Sequence, residues 1–92
     1  MNDIIIRRKH DKTLAEVHIA AEHMISQLKD EFNLSYAWNG DTLNFNRPGV
    51  SGELTLGSQE VVLSINLALI FSALKPSIER EVHRLLDENF QA

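Results

Sequence analysis

Apolar residues recur along this chain at two different periods, and the points where one gives way to the other divide it into elements. Ile4 to Arg7 reads as a short first strand, with Ile4 and Ile6 on one face. The period then lengthens. Thr13-Leu14-Ala15-Glu16 has the form of a capping box, in which the Thr hydroxyl accepts from a first-turn N–H and the Glu reaches back. Leu14, Val17, Ala21, Met24, Leu28 and Phe32 follow at spacings of three and four, one apolar stripe on a helix of about five turns. Asn33 is a natural stop for it.

From Leu34 the period becomes two. Leu34, Tyr36 and Trp38 alternate with smaller or polar residues, as do Leu43 and Phe45, then Val50, Leu54 and Leu56, then Val61, Leu63, Ile65 and Leu67. Asn39-Gly40, Pro48-Gly49 and Gly57-Ser58 separate the runs, and each is a turn signal. The apolar positions are even, odd, even and odd in successive runs. Opposed residues in an antiparallel hairpin share a face, so this flip requires loops with an even number of residues. Two-residue turns at the three signals meet that requirement. They place Tyr36 opposite Leu43, Leu34 opposite Phe45, Leu43 opposite Leu54, and Leu54 opposite Val61. Phe45 then faces Gly52, which faces Leu63, and the aromatic ring can lie over the missing side chain. A slip of one residue would turn the whole apolar set to water.

Helical spacing returns at the end. Leu74, Ile78, Val82, Leu85 and Phe90 lie near one face, with Leu86 at its edge, and Pro76 suits a first turn. The segment from Ala68 to Leu74 reads equally as the end of a strand or the start of this helix. The predicted architecture is α+β, in the order β-α-β-β-β-β-α: an antiparallel sheet with two helices packed on one face. Asn44, Asn46, Ser51, Glu53, Thr55, Ser64 and Asn66 mark the polar face. The strand Val61 to Leu67 could be a sheet edge, which would invite a second copy of the chain; alternatively the first strand covers it.

Composition narrows the classes. A chain of 92 residues fits one domain, and burying about 60–65% of its unfolded surface leaves one modest core. Hydrophobic residues make up 43%, ordinary for a globule. The chain has no cysteine, which removes disulfides, thiolate metal sites and a cysteine nucleophile, and suits a reducing cytoplasm. The apolar run near the N-terminus is too short for a signal peptide, and the longest apolar stretch, Leu67 to Phe71, cannot span a bilayer. The net charge of −4 disfavours a general nucleic-acid binder.

Candidate chemistry is sparse. His18 and His23 are five apart and do not stack on one helix face, so the four histidines read as solvent-facing polar residues rather than zinc ligands. No residue is nominated as a metal ligand, cofactor contact or catalytic group. Arg7-Arg8-Lys9-His10, followed by Lys12, is the one basic cluster; a solvated connection is the better reading, and an anion site beside a helix N-terminus the sharper one. Trp38 reads as closing the end of the core, or else as an exposed ring for a ligand or membrane surface. Pro48-Gly49 is explained by a type II turn and Gly52 by the packing of Phe45. Arg47 has no structural explanation in the sequence. Arg8, His10, Trp38 and Arg47 are therefore the candidate contact residues.

Phe45-Asn46-Arg47-Pro48-Gly49-Val50-Ser51-Gly52 resembles the Phe-x-Arg-x-Gly-Val-x-Gly core of a family of small bacterial proteins, the putative polyhydroxyalkanoic acid system proteins. Ile6-x-Arg8-x-His10 is similar to the family's N-terminal Arg-x-His signature. Leu74-Lys75 and the stretch from Ile78 to Leu86 resemble its closing helix. One departure is Leu67-Ala68, where the family pattern places glycine after the leucine, which argues against close backbone approach there. The resemblance implies a cytoplasmic protein linked to polyhydroxyalkanoate metabolism, granules or granule proteins, and it supplies no catalytic residues. A non-enzymatic accessory or binding protein is the leading expectation, needing an exposed apolar patch to meet a granule. A small carrier of an apolar acyl ligand is the alternative, opposed by the chain's size, since a pocket of about 300 Å³ or more would empty the core. A ribosome- or RNA-associated protein is opposed by the charge, and an acyl-transferring or hydrolysing enzyme comes last.

Overall fold

The computed structural model describes residues 4–90. The elements are β1 (Ile4–Lys9), α1 (Leu14–Phe32), β2 (Ser35–Asn39), β3 (Thr42–Arg47), β4 (Val50–Leu56), β5 (Glu60–Leu67), a 3₁₀ helix (Leu69–Leu74) and α2 (Lys75–Asn89). All five strands are antiparallel in one sheet of order β1-β5-β4-β3-β2. The expected α+β order is thus present, and the segment from Ala68 to Leu74 is neither strand nor α-helix but the short 3₁₀ connection.

The capping box forms as the sequence predicts. The Thr13 hydroxyl accepts from the Glu16 N–H at 3.2 Å, and the Glu16 carboxylate accepts from the Thr13 N–H at 3.0 Å. Those bonds, the backbone one first, hold the Glu16 carboxyl below its ordinary titration range. Asn33 ends α1 in the left-handed region at φ 56°, where its N–H caps the Lys29 carbonyl. The buried face of α1 is Val17, Ala21, Met24, Ile25 and Leu28. Leu14 and Phe32, the first and last residues of the helix, stay exposed instead of joining the core. Ile25 is the unforeseen member, because a core-facing stripe is broader than a single line of residues.

The β3–β4 hairpin follows the predicted register: Arg47 opposes Val50, Phe45 opposes Gly52 and Leu43 opposes Leu54. Gly49 has φ 86°, the positive value that the second central residue of a type II turn requires. The other two hairpins differ by one turn residue. Asn39 pairs with Thr42, so Gly40 and Asp41 form the turn; Tyr36 therefore opposes Phe45 and Trp38 opposes Leu43. Gly40, at φ 64°, is the first central residue, as in a II′ turn. Likewise the Gly57 N–H donates to the Glu60 carbonyl at 2.8 Å, closing the turn around Ser58 and Gln59. Leu54 then opposes Leu63, Leu56 opposes Val61 and Gly52 opposes Ile65. Each change moves the register by two residues, so every side chain keeps its face.

β5 is not an edge: β1 pairs along it from Ile4 opposite Ile65 to Lys9 opposite Glu60. The open edges are β1 and β2. Leu43, Leu54, Leu63 and Val61 meet Val17, Met24, Leu85, Leu86 and Phe90 in one buried cluster between sheet and helices. Leu86 is fully buried rather than marginal, while Leu74 is exposed. The Ala68 N–H donates to the Gly49 carbonyl at 2.7 Å. No helix of the described residues is long and apolar enough to cross a membrane.

Gly52 is the tightest point of the sheet. A Cβ there would lie 2.6 Å from the Phe45 ring and 2.7 Å from the Ser64 carbonyl oxygen. Gly52→Ala is expected to destabilise the fold by about 1–3 kcal/mol through overpacking, read as a lowered midpoint of urea unfolding.

Candidate functional site

The two-residue period of a strand decides where the four candidate residues point. Arg8 follows Ile4 and Ile6, Trp38 follows Tyr36, and Arg47 follows Leu43 and Phe45. All three leave the sheet on its helix-covered face, and His10 continues the line just past β1. They are not gathered into one site. Each closes a different part of the core's rim.

Arg8 reaches α2, where its guanidinium pairs with Asp87 and lies 2.9 Å from the Nδ1 of His83. Arg7, on the other face of β1, pairs with Glu60 at 3.1 Å. The anion-site reading of the basic cluster thus loses two charges to internal carboxylates, and the neighbouring N-terminus of α1 is already occupied by its capping box. His10 is no surface contact, being only 6% exposed. Its Nε2–H donates to the Gly57 carbonyl at 3.0 Å and its Nδ1 accepts from the Lys12 N–H at 3.1 Å, which assigns the neutral tautomer. With the backbone bond from His10 N to Gln59 O at 2.9 Å, it ties the start of α1 to the β4–β5 turn. The remaining histidines are exposed or half-buried and have partners of their own: His18 with Asp41 at 3.0 Å and His23 with Asn89 at 2.8 Å.

Trp38 is half-buried against the core. Its indole N–H donates to Glu22, and its ring packs on His18 at 4.6 Å between centroids. Tyr36 donates to the same carboxylate at 3.2 Å. Glu22 therefore anchors two aromatic side chains of the edge strand to α1. The negative charge of Glu22, followed by partial desolvation, raises Tyr36 above the usual tyrosine range.

Arg47, unexplained by the sequence, has a structural partner. One guanidinium N–H donates to the carbonyl of Phe32 at 3.1 Å, at the end of α1, and the group lies 5.8 Å from the centroid of the Phe71 ring. Its Nε is buried and has no hydrogen-bond partner.

Beside Arg47 is a part-open cleft of about 240 Å³. Phe45, Leu63 and Ile65 form its floor, and its walls are the end of α1, the 3₁₀ helix and the first turns of α2. The cleft opens at the edge of the core, and core residues that line it, such as Phe45, Leu63 and Val82, remain buried. Its lining is apolar except for Arg47 and Glu81. Glu81 is held ionised below its ordinary range, first by its hydrogen bonds from Arg84. The arrangement offers a hydrophobic slot with one cation in its wall. Next to it the 3₁₀ helix presents the most exposed large apolar side chains of the described residues, Leu69 at 89% and Ile70 at 81%.

Neither the cleft nor this patch was nominated from the sequence. The one available signal was the apolar run Leu67 to Phe71, which matches neither period. Among comparisons, the family model described as putative polyhydroxyalkanoic acid system protein matches residues 4–90. No curated protein and no solved structure matches the chain.

The chain contains a single tyrosine, so its titration can be followed alone. Glu22→Gln removes the negative charge that opposes the phenolate. The Tyr36 midpoint should then fall toward the ordinary value, measured by ultraviolet absorption across alkaline pH; an unchanged midpoint would show that Glu22 does not govern it.

Proposed function

The chain belongs to the putative polyhydroxyalkanoic acid system proteins, and we propose that it is a non-enzymatic accessory protein that binds the apolar surface of polyhydroxyalkanoate granules. The observation that carries this reading is the pair Leu69 and Ile70, held out in water on a 3₁₀ helix with no buried residue. Leu74, also exposed, and Phe71 continue the apolar surface into the cleft. Exposed apolar area of this kind is what an apolar partner covers. A polyester surface requires no shaped complement, only apolar side chains that can leave water. The polar groups of the cleft are a guanidinium and an ion-paired carboxylate, which supports a binding role over a catalytic one.

The test is co-sedimentation of the purified protein with washed granules. Leu69→Ser with Ile70→Ser should lower the bound fraction at limiting granule surface by roughly tenfold or more, the loss expected from two buried side chains. Because both residues are exposed, the double variant should keep the wild-type circular dichroism and unfolding midpoint. Equal sedimentation of the two proteins, or none by wild type, would reject the proposal.

A further inference from the structure

The cleft beside Arg47 has a second property that a surface contact does not use. It is a slot, not a patch: floor from two strands, walls from three helical segments, and a cation placed at one side. An apolar occupant alone would gain nothing from that cation. A partner helix is too wide for about 240 Å³, which is room for roughly eight water-sized groups at about 30 Å³ each. An unbranched chain of comparable length fits the space. The charge in the wall then selects the head group. Arg47 is the cation among the lining residues, and Glu81, the anion, is already taken by Arg84. The Nε of Arg47 has lost water without gaining an acceptor, and a planar guanidinium is the side chain best shaped for a carboxylate.

The geometry points to a medium-chain monocarboxylate as the occupant, its alkyl chain over Phe45, Leu63 and Ile65 and its carboxylate at the Arg47 guanidinium. Phe71 lies over that guanidinium and shields the ion pair from water, which strengthens it. Leu69 and Ile70, the residues that test the granule contact, do not line the cleft, so the two bindings can be tested apart.

The experiment is a titration of the full chain followed by amide and methyl NMR, with octanoate as the probe. Octanol tests the chain without the charge, and acetate the charge without the chain. Octanoate is expected to shift resonances of Leu28, Leu63, Ile65 and Val82, at least tenfold more tightly than octanol, with no saturable shift from acetate. Arg47→Gln should abolish that preference. Leu74→Trp, at an exposed position of the cleft wall, should block both ligands and guards against a poorly folded Arg47 variant. Equal affinity for octanol and octanoate would overturn the proposal. So would shifts elsewhere on the protein, no saturation by octanoate, or a concentration-dependent dimer whose contact fills the cleft.

Discussion

The ring of Phe45 lies over the backbone of Gly52, and the order of the core follows from that contact. No side chain larger than hydrogen fits between the ring and the Ser64 carbonyl, so β3, β4 and β5 meet there in one alignment. Ile65, Gly52, Phe45 and Tyr36 form a single cross-strand row. The rows on either side inherit their positions from it. Leu63, Leu54, Leu43 and Trp38 fall on one side, and Leu67, Val50 and Arg47 on the other. The cleft thus has an aromatic floor and a guanidinium two residues along the same face because β3 reads Leu43, Phe45, Arg47 at a period of two.

Alternation made the faces of the sheet legible, but not the full register. The parity of the apolar runs allows any even slip, and only turn chemistry can choose among these. At Pro48-Gly49 the choice is forced, since proline and a glycine at φ 86° suit one turn position each. Asn39-Gly40 and Gly57-Ser58 have no such constraint. In the fold Gly40 takes the first central position with Asp41 after it, and Gly57 stands outside its turn, bonding to Glu60. Two hairpins moved, and no side chain changed face.

The same alternation accounts for the partners that the candidate residues have. Arg8, Trp38 and Arg47 share parity with the apolar residues before them, so they belong to the covered face. On that face a polar group meets the helices that cover the sheet and finds its partner there. The partners are Asp87 and His83 for Arg8, Glu22 for Trp38 and the Phe32 carbonyl for Arg47. None lies close in sequence, so local patterns could not supply them. The cleft is hidden for a related reason. It depends on the end of α1, the 3₁₀ helix and the start of α2 converging over one end of the sheet, and a 3₁₀ segment carries no extended period by which to place its side chains.

The 3₁₀ helix is held by backbone and hydroxyl bonds rather than by burial. Ala68 donates to Gly49 at 2.7 Å, Phe71 to the Ala68 carbonyl at 2.8 Å, and the Ser72 hydroxyl to the Leu69 carbonyl at 2.8 Å. With its backbone fixed in this way, Leu69 and Ile70 contribute almost nothing to folding by leaving water. Each side chain retains the larger part of the about 1.5–3 kcal/mol that full burial of such a group releases. That free energy becomes available only when a second surface covers them. A polar residue at either position would cost the fold nothing visible in its packing. The two apolar side chains are thus no part of the core, and the segment that bears them also supplies a wall of the cleft.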